Sequence, residues 1–231
     1  MTTIGMLGGM SWESTVPYYR LINQRVQERL GGLHSARLLL YSMDFHDVEQ
    51  LQRAGEWERA GTLLADGARR LQSAGADFLV ICTNTMHKVA PAVEAAIALP
   101  LLHIADPTAS AVAAAGVRRV GLLGTRFTME EEFYRGRLQR RHGLEVLVPG
   151  SEDRLEVHRV IYEELCLGIV DDRSRHLYRD IIGRLVARGA EAVILGCTEI
   201  SLLVDAEDSP VPLFDTTALH ARAAADHALG A

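Results

Sequence analysis

The chain has 231 residues, of which 48% are hydrophobic and 23% are charged, so its composition is that of an ordinary globular protein with room for a substantial core. Its formal net charge is −6 and its basic residues are scattered, which argues against a nucleic-acid-binding groove. No apolar run has the length of a membrane span and no signal peptide is recognisable, so we expect a cytoplasmic protein that binds neither nucleic acid nor membrane. Its three cysteines are expected to be free thiols, and no metal-ligand spacing is present.

Apolar runs of strand length alternate with longer segments of helical period, a pattern typical of α/β units around a mainly parallel sheet. Residues 3–7 are predicted to form a strand that ends at the pair Gly8-Gly9, and residues 15–30 are predicted to form a helix. Apolar residues then recur every three or four positions from Trp57, which predicts a second helix that ends near Gly75. The next buried strand is predicted over residues 77–82.

The second half of the sequence repeats the first. VGLLG (residues 120–124) matches IGMLG (residues 4–8), and the following Thr128-Met-Glu-Glu131 is a capping box predicted to open a helix. GAEAVILGCTE (residues 189–199) then aligns with GADFLVICTNT (residues 75–85) without a gap. The agreement predicts an internal duplication.

A third shared landmark is a proline followed by a short apolar strand, which begins at Pro100 in one half and at Pro212 in the other. Three landmarks in the same order predict an α/β fold of two pseudo-symmetric lobes, each a mainly parallel sheet flanked by helices. We expect residues 1–102 and 213–231 in the first lobe and residues 103–212 in the second, with the active site in a cleft between them.

The alignment decides which residues correspond at the strand ends. Cys197 pairs with Thr83, whereas Cys82 pairs with Gly196. Because successive strand residues point to opposite faces, Cys82 and Thr83 cannot easily both enter the cleft. The position that carries a thiol in the second lobe therefore carries a hydroxyl in the first, and Cys82 and Cys166 are interpreted as packing residues.

Cys197 stands at the carboxyl end of a predicted buried strand, where open α/β sheets place ligand-binding groups. Since it precedes Thr198-Glu199 and a predicted helix start, helix amides are expected to lower the pKa of its thiol and make it a competent base or nucleophile. The alternative is a small buried apolar cysteine. Glu199 could receive a substrate ammonium group or help to cap its helix.

Short polar residues also follow the strand of the first lobe. Thr83, Asn84 and Thr85 are good cap and turn formers, and their side chains and amides also suit a carboxylate. Residues 8–11 form a glycine turn between strand and helix that lacks a nucleotide-binding motif. Gln52 lies in a polar stretch that could be a flap over the cleft or a solvated helix face.

Taken together, these segments resemble the aspartate/glutamate racemase family over essentially the whole chain, in IGMLGGMSWES, CTNTMHK, GLLGT, GCTEIS and FDTTALHA. Members of that family are independent of pyridoxal phosphate (PLP), commonly dimerise, and use two cysteines on opposite sides of the substrate α-carbon. The resemblance implies a homodimer that acts on a small amino-acid substrate without a cofactor, with Cys197 as the second catalytic cysteine. It further implies that the substrate is held by Met10, Ser11, Asn84, Thr85, Thr125 and Thr198.

The chain departs from the family at Thr83, which stands where the first catalytic cysteine is expected. A hydroxyl is a much poorer base than a thiol, although it can still relay or donate a proton. By analogy with the family, the enzyme is therefore expected to deprotonate L-amino acids well and D-amino acids poorly. Aspartate-selective relatives also carry a basic residue that residues 163–168 lack, which argues against strict aspartate specificity.

The prediction from the sequence is thus a cofactor-independent racemase of L-glutamate or L-aspartate, or of a broader set of amino acids, with Thr83 and Cys197 as catalytic residues. One alternative is a maleate-type isomerase or another small-dicarboxylate enzyme, in which Cys197 would act as a nucleophile. The other is a non-catalytic amino-acid-binding protein that kept the carboxylate site and lost turnover.

Overall fold

The computed structural model describes residues 1–230, and the contacts within the chain divide it into two compact units. The first unit contains Met1–Ile104 together with the residues from His220 on, and the second contains Ala105–Leu219. Each unit has its own sheet of parallel strands with helices packed on it, so the predicted α/β class is confirmed. Among residues 1–230, no helix is both long enough and apolar enough to cross a membrane.

The sheet of the first unit has three parallel strands in the order β2-β1-β3. The strands are β1 (Ile4–Gly8), β2 (Leu38–Ser42) and β3 (Phe78–Ile81), and the helices are α1 (Trp12–Leu30), α2 (Phe45–Ala54), α3 (Trp57–Ser73) and α4 (Ala90–Ala96). A 3-10 helix (Thr85–Val89) lies between β3 and α4.

Alternation along β3 divides the core of this unit into two layers. Phe78, Val80 and Cys82 pack on the side of α1, while Leu79 and Ile81 pack on the side of α3. All five side chains are buried, as expected for a parallel strand covered by helices on both faces. Cys82 therefore belongs to the core on the α1 side, in agreement with its interpretation as a packing residue.

The sheet of the second unit has four parallel strands in the order β5-β4-β6-β7. Its elements are α5 (Ala105–Ala114), β4 (Arg119–Gly124), α6 (Arg126–Glu130), α7 (Arg135–His142), β5 (Glu145–Leu147), α8 (Ser151–Glu163), α9 (Asp172–Ala187), β6 (Ala192–Gly196) and β7 (Leu213–Asp215). The last helix, α10 (Thr216–Leu229), begins in this unit and belongs to the first unit from His220 on. Short 3-10 helices cover Leu165–Leu167, Ile200–Leu202 and Ala206–Asp208. Residues 213–219, expected in the first lobe, lie in the second unit because β7 pairs with β6.

The two units share a detailed turn between helix and strand. Gly75 and Gly189 follow α3 and α9 at the same distance, and both have φ of +95°. In each turn the glycine N–H donates to a carbonyl three residues earlier, and the next N–H reaches back five residues, from Ala76 to Leu71 (3.1 Å) and from Ala190 to Leu185 (3.0 Å). This is the Schellman helix end, which requires a left-handed residue and explains the glycine at both positions.

Strand register extends the correspondence between the units. Leu7 of β1 lies opposite Ile81 of β3, and Leu123 of β4 lies opposite Leu195 of β6. The proline landmark is also shared. The carbonyl of Pro100 accepts a hydrogen bond of 2.9 Å from the N–H of Leu79 in β3, and the carbonyl of Pro212 accepts one of 2.9 Å from the N–H of Val193 in β6. The gap-free alignment made from the sequence is therefore the alignment of the backbones.

Candidate active site

In the first unit, the predicted site residues follow the carboxyl ends of two neighbouring strands. Met10 and Ser11 lie in the turn between β1 and α1, while Thr83, Asn84 and Thr85 follow β3. All five residues are buried. Since β1 and β3 are hydrogen-bonded neighbours, both segments emerge at the same edge of the sheet.

The turn after β1 is fixed by its own hydrogen bonds. The N–H of Gly9 donates to Oγ1 of Thr15 (2.8 Å), and that hydroxyl donates to the carbonyl of Ser11 (2.9 Å). Gly9 has φ of +83°, and a Cβ at this position would lie 2.5 Å from the backbone nitrogen of Met43. Any side chain here would clash with the backbone of Met43, so glycine is required where these two backbone segments approach each other.

His87, to which the sequence assigned no role, holds the segment after β3. Its Nδ1 lies 2.8 Å from the carbonyl oxygen of Thr83, and its Nε2 accepts from the N–H of Ile104 (3.2 Å). A carbonyl only accepts, so the proton is on Nδ1 and the buried imidazole is neutral. His87 thus fixes the peptide that leads from Thr83 to Asn84.

Gln52 lies in a helix, and its side chain is buried rather than part of a solvated helix face. It belongs to α2 and is buried, and its Nε2 donates to Sδ of Met86 at 2.9 Å. Met86 belongs to the 3-10 helix after β3. Gln52 therefore contacts the same segment that carries Thr85, whereas the adjacent Arg53 is exposed.

In the second unit, the predicted residues again follow two neighbouring strands. Thr125 comes directly after β4, and Cys197, Thr198 and Glu199 come directly after β6. Thr125 is the N-cap of α6, since its Oγ1 accepts from the N–H of Thr128 at 3.3 Å. The capping box predicted at Thr128 is therefore wrong. The helix begins one turn earlier, with Thr125 as its N-cap.

The carboxylate of Glu199 is the centre of the hydrogen bonds beyond β6. Its Oε2 lies 3.0 Å from Sγ of Cys197 and 2.7 Å from Oγ1 of Thr198, and both of these groups donate to it. Its Oε1 lies 3.8 Å from Sγ of Cys166, in the 3-10 helix Leu165–Leu167. Cys166 was interpreted from the sequence only as a packing residue, and no spacing pattern links it to Glu199, 33 residues away.

The electrostatics of Cys197 differ from the prediction. Burial raises the pKa of its thiol well above the ordinary value, and the negative charge of Glu199 raises that pKa further. The expected lowering by helix amides is wrong, because the segment after Glu199 is only a three-residue 3-10 helix (Ile200–Leu202) and a carboxylate faces the sulfur. The resting side chain is therefore a thiol that donates to Glu199.

Thr83 stands at the equivalent position of the first unit but in a different chemical setting. Like Cys197, it lies two residues beyond a strand residue that pairs with the central strand, Ile81 in one sheet and Leu195 in the other. Within residues 1–230 its hydroxyl makes no hydrogen bond, and its carbonyl accepts from His87. The side chain is thus available to a bound molecule and has no carboxylate partner of the kind that Cys197 has.

The described part of the chain, residues 1–230, contains no cluster of three or more histidine, cysteine, aspartate or glutamate side chains placed to hold a metal ion. The end of β6 carries a thiol that is hydrogen-bonded to a carboxylate, and the end of β3 carries a threonine hydroxyl. Both are accompanied by buried hydroxyl and amide donors suited to a carboxylate.

Known proteins resemble the chain over nearly its whole length. Residues 7–224 match the family model for Asp/Glu/hydantoin racemases. The chain is 23% identical to the broad specificity amino-acid racemase RacX of Bacillus subtilis over 224 residues, 95% of each chain. A crystal structure from Yersinia pestis, described as that of a putative Asp/Glu racemase, has 59% identity and a TM-score of 0.92, with 99% of this chain and 100% of the other covered. An aspartate racemase homologue from Pyrococcus horikoshii has 34% identity and a TM-score of 0.84 at the same coverage. The chain belongs to the Asp/Glu/hydantoin racemase family and is an isomerase of the racemase type.

Proposed function

We propose that this protein is a PLP-independent racemase that acts on L-glutamate and L-aspartate. In this scheme Cys197 removes the α-proton of the L-enantiomer, and the Thr83 side returns a proton to the opposite face of the α-carbon. The observation that carries the proposal is the equivalent placement of these two residues, one at the end of β3 and one at the end of β6. Racemisation needs a base and an acid on opposite faces of one carbon, and a duplicated fold provides two equivalent strand ends.

Glu199 has a direct part in this scheme. The thiol must lose its proton before the sulfur can act as a base, and Glu199 Oε2 accepts a hydrogen bond from it at 3.0 Å. We assign Glu199 as the group that takes the thiol proton when the substrate is bound. The thiolate then takes the α-proton, and because burial raises its pKa, it is a stronger base than an ordinary thiolate.

Loss of the α-proton moves negative charge onto the substrate carboxylate. Buried donors at the strand ends, aimed at that carboxylate, would stabilise the charge as it develops. We assign this role to Ser11 and the Met10-Ser11 backbone, Asn84, Thr85, Thr125 and Thr198, all of which are buried. Gln52 and His87 support the segment that carries Asn84 and Thr85.

Thr83 would deliver the second proton. A threonine hydroxyl is not ionised near neutral pH, so it serves as a donor, or as the anchor of a donating water, better than as a base. Protonation from this side converts the planar intermediate into the D-enantiomer, and the Thr83 hydroxyl regains a proton from solvent. The proton taken from the substrate stays on Cys197, and Glu199 releases the former thiol proton to solvent, which restores both groups for the next turnover. The scheme therefore predicts efficient use of L-amino acids and poor use of D-amino acids.

Two observations bear on the substrate. Relatives at this similarity include an aspartate racemase homologue and a broad specificity amino-acid racemase. In this chain the position beside Glu199 is taken by Cys166 and not by a basic residue. A substrate side chain would therefore meet no fixed cation there, which favours acceptance of both glutamate and aspartate over a strict preference.

The experiment is a racemase assay of purified protein with L-glutamate and L-aspartate, without added PLP, read by chiral chromatography. Cys197→Ser should lose at least about a hundredfold in kcat, the lower end for a positioned acid or base. Cys82→Ser is the matched control, since it alters a thiol in the core of the first unit and should keep most activity. Absence of turnover in the wild type, or equal loss in both folded variants, would contradict the proposal.

A further inference from the structure

An arginine without an ion-pair partner stands at the end of β4. Arg126 directly follows Thr125 and is the first residue of α6. Glu130, four residues further along that helix, is placed to pair with it, but the Glu130 carboxylate accepts from Nε of Arg154 at 2.8 Å. Arg126 is exposed, and within residues 1–230 its guanidinium makes no ion pair. The side chain therefore carries a positive charge that a bound anion could neutralise.

The backbone places this arginine close to Cys197. Gly124 of β4 lies opposite Gly196 of β6, and a Cβ on Gly124 would lie 2.8 Å from the carbonyl oxygen of Gly196. The two strand ends are thus in direct contact. Thr125 and Cys197 are the next residues after these glycines, and neighbouring strands lie about 4.8 Å apart. Because Arg126 follows immediately, its long side chain can reach a molecule that is bound at the Cys197 thiol.

The neighbours of Arg126 lie along one side of α8. Its N–H donates to Nδ1 of His158 at 3.2 Å, and its Cζ lies 5.5 Å from the centroid of the Phe127 ring. The rings of His158 and Tyr162, one turn apart on α8, have centroids 4.7 Å apart. Four residues after Tyr162 comes Cys166, whose thiol contacts the carboxylate beyond β6. The row of side chains that begins at Arg126 therefore ends at the hydrogen bonds of the catalytic thiol.

Glutamate and aspartate differ from most amino acids by a second carboxylate, which needs a cationic partner when it leaves water. A guanidinium suits this role, because its paired N–H groups match the two oxygens of a carboxylate. Residues 163–168 contain no basic side chain that could serve instead. Other arginines of the second unit, such as Arg137 and Arg159, already pair with carboxylates of the chain.

We propose that Arg126 binds the side-chain carboxylate of the substrate and so makes the enzyme selective for acidic amino acids. This assignment rests on the proposed function, which supplies the identity of the substrate. Arg126 is then a specificity-determining residue that takes no part in proton transfer. An exposed arginine side chain has many rotamers, so it can meet a carboxylate that is nearer by one methylene group in aspartate than in glutamate.

Calorimetric titration with L-glutamate and L-glutamine tests the assignment, since glutamine has the same shape and no side-chain charge. The wild type should bind L-glutamate at least about tenfold more tightly, as expected for a charge-assisted pair. Arg126→Gln should bring the two dissociation constants within about threefold of each other, and Arg126→Lys should restore part of the difference. The matched control is Arg173→Gln, which removes another exposed arginine of the second unit that has no ion pair within residues 1–230 and should keep the wild-type ratio.

The pKa of His158, followed by proton NMR, provides a readout that a folding defect would not reproduce. Burial of the imidazole is the main cause that lowers this pKa, and the charge of Arg126 lowers it further, whereas Glu130 and Glu163 raise it. A carboxylate bound to Arg126 offsets the charge of the guanidinium. L-Glutamate should therefore raise the pKa of His158 in the wild type, and L-glutamine should leave it unchanged.

The outcomes separate this assignment from the racemase reaction. Discrimination that survives in Arg126→Gln, or affinities for both ligands that fall equally, would overturn the assignment. A wild type that binds L-glutamate and L-glutamine equally well would overturn it too. A wild type that discriminates through Arg126 but does not racemise L-glutamate would contradict the proposed function and leave the carboxylate-binding role of Arg126 standing.

Discussion

Replacing Glu199 with glutamine tests the proposed chemistry of Cys197 directly. Glutamine keeps the size of the side chain and one oxygen that can still accept from Thr198, but it cannot take a proton from the thiol. Positioned proton transfer contributes about 10²- to 10⁴-fold to the rate. The kcat for L-glutamate should therefore fall by about two to four orders of magnitude, which corresponds to a barrier higher by roughly 3 to 5 kcal/mol.

The same substitution should make the thiol easier to ionise. Burial is the main reason that the pKa of Cys197 is raised, and the charge of Glu199 is the next, so Glu199→Gln removes the second-largest cause. Alkylation of Cys197 by iodoacetamide at pH 8, followed by mass spectrometry, should then be faster than in the wild type. Slower catalysis together with faster alkylation is the expected pair. A kcat within threefold of the wild type, or alkylation that does not accelerate, would refute the role of Glu199.

Cys197→Ala should abolish turnover, whereas Cys166→Ser should keep most activity because serine still donates to the same carboxylate; an inactive, folded Cys166→Ser protein would show that the second thiol is needed. The Cys82 contribution to the free energy of unfolding should be complete below about pH 8.5 and should fall as the pH rises. Burial raises the pKa of the Cys82 thiol in the folded protein, so above that pH the thiol ionises in the unfolded chain but stays protonated in the folded one. Cys82→Ala should flatten that slope by up to about 1.4 kcal/mol per pH unit, and an unchanged slope between pH 8.5 and 10 would contradict this. His87→Phe should slow the exchange of the α-proton of D-glutamate with solvent more than that of L-glutamate, because it removes the hydrogen bond to the Thr83 carbonyl. His87→Asn keeps a donor and should recover part of the loss. Equal effects on both enantiomers would leave His87 with a packing role only.

The strands and the internal duplication could be predicted because their signals are local. Gly75 and Gly189 end helices in the left-handed conformation, which almost only glycine adopts, and buried parallel strands follow them as continuous apolar runs. Because residues 75–85 and 189–199 align without a gap from these glycines onward, equivalent residues occupy equivalent positions in the two sheets. This is why the equivalence of Thr83 and Cys197 was accessible without a structure.

Other features are determined by tertiary contacts, which the local sequence does not show. Thr125 and Thr128 both offer a cap oxygen, and only the path of the chain out of β4 selects Thr125. Strand β7 is three residues long, and nothing in so short a run indicates which sheet it joins. Because β7 pairs with β6, the second unit extends to Leu219 instead of ending at residue 212 as expected from the sequence.

The setting of Cys197 was the least predictable feature of the candidate site. The sequence placed a helix start nearby and therefore a lowered thiol pKa, but the direction of the Glu199 side chain is a tertiary property. It turns back to its near neighbour Cys197 and also reaches Cys166, 33 residues away. Burial of the sulfur and the adjacent carboxylate then reverse the sign of the expected shift.

The two equivalent strand ends carry unequal groups, a thiol at Cys197 and a hydroxyl at Thr83. The most direct measurement is the rate at which the α-proton of L-glutamate and of D-glutamate exchanges with solvent deuterium, followed by proton NMR. In the wild type the L-enantiomer should exchange at least about tenfold faster, since the hydroxyl is the poorer base, although racemisation still ends at equal amounts of both enantiomers. Thr83→Cys should raise the exchange rate of D-glutamate and bring the ratio close to one. Similar rates for both enantiomers in the wild type, with no response to Thr83→Cys, would contradict the account.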